Sequence, residues 1–355
     1  MKIYLVYNII DEPYGGANQF LKSLKKELEK QGTFAPTPDE ADAFIFNSHT
    51  LGGNKGNGPA TITRLKYRFP DAIFIHRVDG PVSMYRGDES QLYVDQIIYE
   101  LNSTLADGTL YQSEWSRRAN LDLGKKPTLF TQTVLNAPDC DIFYPAKYTK
   151  NLTNQKVKII ASSFSNHPNK GFATYHWLDQ NLDFSRFEIT FVGNTPTQFQ
   201  NIKHIPAVKP SELADLLRDN DIYVTASQKD PCSNALIEAL HCGLPAIALR
   251  DGGHPEIVGA AGELFDTAEE IPDLLTRIAS NYEQYSDRTH LPDIAEAAEQ
   301  YQAFIGRIIE EVKTEKYQPK KLSLIGFLYR YNYYRISLLL RILKSRIINL
   351  FKANK

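Results

Sequence analysis

The chain is poor in cysteine. Its three residues, Cys140, Cys232 and Cys242, show no CxxC or metal-type spacing. That excludes a disulfide framework or a zinc finger and fits reduced thiols in a cytosolic protein. Long apolar runs are also missing, and none approaches the ~20 residues of a spanning helix. The opening MKIYLVYNIIDEPYGG holds only a short apolar run, mixed with Tyr and Asn. It ends in a Gly-rich turn rather than a cleavage site, so it reads as a buried first strand and not as a signal peptide. Short repeats and low-complexity tracts are absent. Acidic residues stop at Glu315: residues 316–355 carry ten Lys and Arg and no acid, so a net charge of −2 divides into +10 for this tail and −12 for the rest.

What remains is ordinary globular protein, 42% hydrophobic and 23% charged over 355 residues, enough for two domains. Short β-rich runs alternate with helical patterns. KIYLVYN (2–8), DAFIFN (42–47), AIFIH (72–76), TLYQS (109–113) and TLFTQTVL (128–135) form one series. After a Pro-, Asn- and Lys-rich stretch near 136–155 a second series begins: KVKIIAS (156–162), FEITFVGN (187–194), NIKHI (201–205), DIYVTAS (221–227) and LPAIAL (244–249). The pattern predicts two α/β domains with parallel sheets, residues 1–140 and 141–290. Helical periodicity at 291–315 predicts a helix packing back across them. Ligands of such sheets sit beyond the carboxyl ends of the strands, so the cleft residues should follow strands.

Four stretches do. YGGANQF (14–20) places Gly15 and Gly16 before a helix, where free N–H groups suit a phosphate or sugar hydroxyl; the bland alternative is a tight turn. IHRVDGP (75–81) projects His76, Arg77 and Asp79 toward the cleft, although a lone His is more often structural. SSFSNHPNKGF (162–172) offers Lys170, a point charge suited to phosphate, with Gly171 opening a helix. The richest is DPCSNALIEALHCGLPAIALRDGGHPEIVGAAGELF (230–265). A helix starting near Cys232 would leave Asp230 in the preceding loop and put Glu238 on the second turn. One carboxylate reaches a sugar and the other a ribose, while the N–H groups of Ser233, Asn234 and Ala235 meet a diphosphate.

This last segment resembles the donor-binding signature of the family 4 retaining glycosyltransferases, which have the GT-B fold. The matching residues are Asp230, Glu238, Gly243-Leu244-Pro245, Gly252-Gly253 and Pro255-Glu256-Ile257-Val258, and GGANQF, YQSEWSRR (111–118) and VLNAPDCDIFYP (134–145) follow the family's order. The resemblance covers roughly residues 1–315. It implies that Asp230 contacts the donor sugar, that Glu238 binds ribose hydroxyls and that Lys170 contacts the donor diphosphate. Asp stands at 230 where the family has Glu, one methylene shorter, and the family's arginine upstream of the lysine is replaced by the loop Ser163-Phe164-Ser165-Asn166-His167.

The implied reaction is transfer of a sugar from a UDP- or GDP-sugar to an acceptor hydroxyl of a glycan or lipid-linked glycan, in surface polysaccharide or glycolipid synthesis. Asp230, His76 and Lys170 are the catalytic candidates, with His76 and Asp79 on the acceptor side. No cofactor or metal is expected, because Lys170 and a helix N-terminus can hold the leaving charge and no convincing Asp-x-Asp site stands between strands. In the family, retention proceeds by same-face attack with the leaving phosphate taking the acceptor proton, so no protein nucleophile is nominated. The alternatives are a GT-B sugar-nucleotide epimerase and a non-catalytic scaffold that binds a nucleotide or glycan.

The tail has its own pattern. Ile336, Leu339, Leu340, Leu343, Ile347 and Leu350 share one helical face, with Arg341, Lys344 and Lys352 beside or behind it. FLYRYNYYR (327–335) mixes aromatics and arginines as interfacial segments do. Residues 316–355 are therefore expected to hold the protein peripherally on the cytoplasmic face of an anionic membrane. The alternative is a helix docked on the chain's own acidic body. Nothing suggests a nucleic-acid module.

Overall fold

A computed structural model describes residues 1–11, 16–47, 58–146, 152, 155–289 and 291–353. The first parallel sheet comprises β1 (Ile3–Val6), β2 (Ala43–Phe46), β3 (Ile73–Val78), β4 (Gly108–Tyr111) and β5 (Phe130–Thr133), side by side in chain order. A single bridge from Phe34 to Ile3 extends it on the outer side of β1. The second parallel sheet comprises β6 (Val157–Ser163), β7 (Phe187–Gly193), β8 (Lys203–Ile205), β9 (Ile222–Thr225), β10 (Ala246–Leu249) and β11 (Gly262–Phe265). Its order is β11-β10-β9-β6-β7-β8, the doubly wound order of dinucleotide-binding sheets. Ten of these strands fall on the apolar runs read from the sequence. The eleventh, GELF, lies at the sheet edge and carries Glu263, which interrupts its apolar character.

Both sheets are covered on two faces. Helix Gly16–Lys30 covers one face of the first sheet with Phe20, Leu21, Leu24 and Leu28. The other cover on that face comes from far along the chain. Helix Ile294–Lys313, started by a capping box of Asp293 and Glu296, crosses back and buries Ala297, Ala298, Tyr301, Phe304, Ile305 and Ile308 against β1, β3 and β4. Each large side chain so buried contributes about 1.5–3 kcal/mol. In the second sheet, Phe172, Tyr175 and Phe191 pack on one face, and Leu236, Ile237 and Leu240 of helix Asn234–His241 on the other.

The C-terminal segment requires a correction. Residues 316–334 do not extend away from the body as an anionic-surface tail. Tyr317 Oη and Lys320 N donate to Asp107 Oδ1 at 2.9 and 2.8 Å, and Lys321 pairs with Asp71 at 2.7 Å. Within helix Leu324–Ala353, Phe327 stacks on Tyr67 at 4.3 Å and Tyr334 is fully buried. The body's acids and an apolar groove along helix Pro59–Arg68 take up this part, as the docked alternative anticipates. On the outer side Ile325, Leu328, Tyr329, Ile336, Leu339, Leu340 and Leu343 stay exposed. No helix among the described residues is long and apolar enough to cross a membrane.

Candidate active site

The second sheet reverses its winding between β6 and β9, and the two loops that follow these strands carry Lys170 and Asp230. Beyond β6 the chain makes a short turn, Pro168–Lys170, in which His167 Nδ1 accepts from Asn169 N at 3.2 Å. Gly171 then adopts φ 75° against the Ala226 carbonyl, where a Cβ would collide with backbone, so only glycine brings Lys170 this close to β9. Lys170 Nζ lies 2.9 Å from Asp230 Oδ2. Burial alone would raise the Asp230 pKa. Lys170, His254 and the Cys232 N–H outweigh it and hold the carboxyl below its ordinary value. His254 is buried beside it, its Nδ1–H donating to the Leu249 carbonyl at 2.9 Å.

Helix Asn234–His241 starts two residues later than expected. Ser233 is its N-cap, with no side-chain cap bond, and Ser233, Asn234 and Ala235 line a cavity of about 300 Å³ together with Lys170 and Asp230. The positive end of the helix thus faces the same space as the lysine. Glu238, one turn further, lines that cavity and also a larger one of about 740 Å³. Its carboxyl has no hydrogen-bond or ion-pair partner among the described residues, and burial pushes its pKa up to about 8.

A third cavity of about 260 Å³ opens toward the first domain. It shares Gly16, Lys170, Asp230 and Asn234 with the first and adds Asp79, Arg86, His167 and Lys229. The Lys170–Asp230 pair therefore stands at the junction between a space lined mainly by the second domain, with Gly16 and Gln19 at its edge, and a space bounded more evenly by both.

The candidates from the first domain distribute unevenly. Gly16 abuts the Asn234 side chain across the interface, and Asp79 lines the shared cavity. Gly15 lies outside the described residues. His76 is not at a strand end: β3 continues to Val78, and the ring is buried in a stack on Phe46 with Asn102 Nδ2 3.3 Å from Nδ1. It lines a small separate void and neither cavity that Lys170 lines. Strand alternation turns Arg77 to the opposite face. There it is buried over the Phe20 ring and donates to Asn136 Oδ1 at 2.6 Å. Asn136 in turn donates to Asn234 Oδ1 at 2.7 Å, tying the first sheet to the start of the donor-side helix. Asn136 lies within VLNAPDCDIFYP (134–145) but is not singled out there, because nothing in the local sequence points to its partner Asn234. No group of three or more His, Cys, Asp or Glu among the described residues is arranged to hold a metal.

Comparison with known proteins bears on the fold. The family model described as Glycosyl transferases group 1 matches residues 198–297, which include Asp230, Glu238 and the Gly-Gly loop. A probable sucrose-phosphate synthase of Thermosipho melanesiensis is 34% identical over 94 residues, 25% of this chain and 22% of that protein. The chain thus spans under a quarter of that relative's length. Among solved structures, Anabaena HepE in complex with UDP-glucose superposes with a TM-score of 0.59 at 14% identity, covering 88% of this chain and 100% of that one. Sucrose-phosphate synthase from Thermosynechococcus elongatus gives 0.57 at 14% identity, covering 88% and 98%. The fold is GT-B.

Proposed function

We propose that the protein is a retaining, metal-independent glycosyltransferase that moves a sugar from a UDP- or GDP-sugar to the hydroxyl of a glycan or lipid-linked acceptor, in surface polysaccharide or glycolipid synthesis. The observation that carries this reading is the Lys170–Asp230 pair at the junction of two cavities, with the uncapped helix start at Ser233 beside it. The donor nucleotide occupies the cavity that runs to Glu238, whose carboxyl accepts from ribose hydroxyls. The diphosphate meets Lys170 and the N–H groups of residues 233–235. Asp230, released from part of its lysine contact, accepts from the sugar hydroxyls.

As the glycosidic bond breaks, negative charge grows on the leaving diphosphate. Lys170 and the helix end stabilise it there without rearranging. The acceptor enters from the shared cavity past Asp79 and attacks the same face of the sugar, its proton passing to the leaving phosphate. His76 supports the fold of the acceptor side from within. The matched family model and a neighbour solved with UDP-glucose support this choice of donor.

Helix Leu324–Ala353 presents an exposed apolar stripe from Ile325 to Leu343 opposite its docked face. Ten basic residues follow Glu315; Lys320, Lys321 and Arg330 are engaged by the body, and an anionic membrane at the cytoplasmic face is the partner we assign to the rest.

The test is incubation of the purified protein with UDP- and GDP-sugars, with and without chelator, reading the anomeric configuration of the product by NMR. Transfer with retention in chelator is expected. An epimerised sugar without transfer identifies the epimerase, and binding without turnover identifies a scaffold.

A further inference from the structure

Helix Glu114–Asp122 of the first domain begins at the domain interface, and its first N–H groups must find acceptors. Ser113, its N-cap, takes one: Ser113 Oγ accepts from Ser116 N at 2.9 Å. The other two are satisfied from across the cleft. Glu114 N and Trp115 N donate to Oε2 and Oε1 of Glu256 at 2.9 and 3.0 Å. Glu256 belongs to the short helix His254–Val258 of the second domain. A carboxylate suits this place, since the helix start is its positive end. These bonds exist only while the domains are together. When they part, water solvates both sides, so the contact is reversible by nature.

The surroundings tie this contact to the loop of Asp230. Gly253, three residues before Glu256, donates its N–H to the Asp230 carbonyl at 2.9 Å. A Cβ on Gly253 would lie 2.6 Å from the Pro231 carbonyl oxygen and 3.4 Å from Ser113 Cβ. From the first domain, a Cβ on Gly80 would meet the Trp115 ring at 2.7 Å and Pro231 at 2.8 Å. The loop bearing Asp230 is thus clamped between Gly80, Trp115 and the Gly253 turn.

We infer that Glu256 is a positioning residue that latches the two domains closed and so holds the Asp230 loop against the acceptor side. It touches no substrate. Its kinetic consequence rests on the transfer reading above, but the latch itself does not.

Trp115 reports the state of the latch. The chain has one other tryptophan, Trp177, in helix Phe172–Asn181, and Trp177→Phe leaves Trp115 as the sole fluorophore. In that background two variants cut the contact from opposite sides. Glu256→Gln removes the charge and one acceptor. Glu114→Pro removes a donor N–H at the first helical position, where proline is accepted, after Ser113 whose φ of −162° and ψ of 162° suit a following proline.

Each variant is expected to raise acrylamide quenching of Trp115, with and without UDP. Each should also lower kcat about tenfold with KM for the nucleotide sugar within about twofold, as when the closed state becomes a minor species. The double variant should be no worse than either single one, because both cut one contact. Unchanged quenching in both variants overturns the latch, even if the protein transfers no sugar. So does a kcat loss in Glu256→Gln that Glu114→Pro fails to reproduce, which would put Glu256 at the substrate.

Discussion

Two lysine–aspartate pairs close at the same distance and live in different surroundings. Lys66 Nζ to Asp107 Oδ2 is 2.9 Å, and so is Lys170 Nζ to Asp230 Oδ2. The Lys66–Asp107 pair is sealed, with both side chains 0% exposed. Lys66 also donates to the Ala72 carbonyl at 3.2 Å and sits 4.6 Å from the Phe74 ring. Asp107 further accepts from Phe74 N, Tyr317 Oη and Lys320 N. The Lys170–Asp230 pair is 31% and 15% exposed and faces cavities on two sides. In the sealed pair the neighbouring backbone and side chains complete each partner's bonding. In the open pair room remains for an anion to compete for the ammonium. Identical chemistry and distance thus serve structure in one place and exchange in the other; the surrounding hydrogen bonds and the free volume distinguish them.

The largest effect is expected where the pair is sealed. Asp107→Ala leaves a buried ammonium without its counter-charge and releases Tyr317 and Lys320. Stability should fall by about 3–5 kcal/mol in urea denaturation. An equal loss for Lys170→Ala would erase the contrast.

At the open pair, Lys170→Ala should instead weaken nucleoside diphosphate binding by about 1.5–3 kcal/mol, read by calorimetry, with the fold retained. It also carries a pH signature. The Asp230 pKa lies below its ordinary value, so the stability it contributes is present above the unfolded pKa and is lost as pH falls through the lower folded one. Without Lys170, the largest influence opposing burial is removed, and that acid limb should flatten in a series of thermal melts.

Glu238 sharpens the comparison from a third side, as a carboxyl on the same cavity with no cation paired to it among the described residues. Its folded pKa of about 8 exceeds the ordinary carboxyl value, so the folded state keeps a proton the unfolded chain releases. Its contribution to stability therefore falls as pH rises from the ordinary carboxyl range to about 8. Glu238→Gln should melt higher than the wild type at pH 8 and alike at pH 4, by a few degrees at most, while binding UDP less well. Equal melting differences at both pH values would assign the ionised form to the resting protein.

The second-domain half of the candidate site was legible because its signals are local. A buried strand followed by a polar loop, a lysine and a glycine fixes where Lys170 must stand. The eight-residue interval from Asp230 to Glu238 reaches from a loop onto the second turn of a helix whatever the tertiary detail. The first-domain half was less legible. His76 and Arg77 were read together as strand-end residues, yet β3 runs on to Val78 and alternation sends them to opposite faces, one against Phe46 and the other over Phe20. Contacts between domains leave no periodic trace: Asn136 with Asn234 and Glu256 with the start of helix Glu114–Asp122 join residues about a hundred or more apart. Composition registers the basic tail's surplus of charge but not the acids, Asp71 and Glu100, that stand against Lys321 and Arg330.

Helix Ile294–Lys313 has a consequence for synthesis of the protein. The domain that begins the chain is roofed in part by a helix made near its end, so on the ribosome its first five strands emerge without that part of their cover. The second sheet, contiguous from Val157 to Phe265, has all its strands before that cover arrives. The core of the earlier domain is therefore complete only once Ala297, Tyr301, Phe304 and Ile308 have left the exit tunnel, after all strands of the later sheet. A fragment ending before residue 294 would keep helix Gly16–Lys30 on that face but expose the apolar surface that Ala297–Ile308 cover, a substrate for chaperones rather than a free-standing domain.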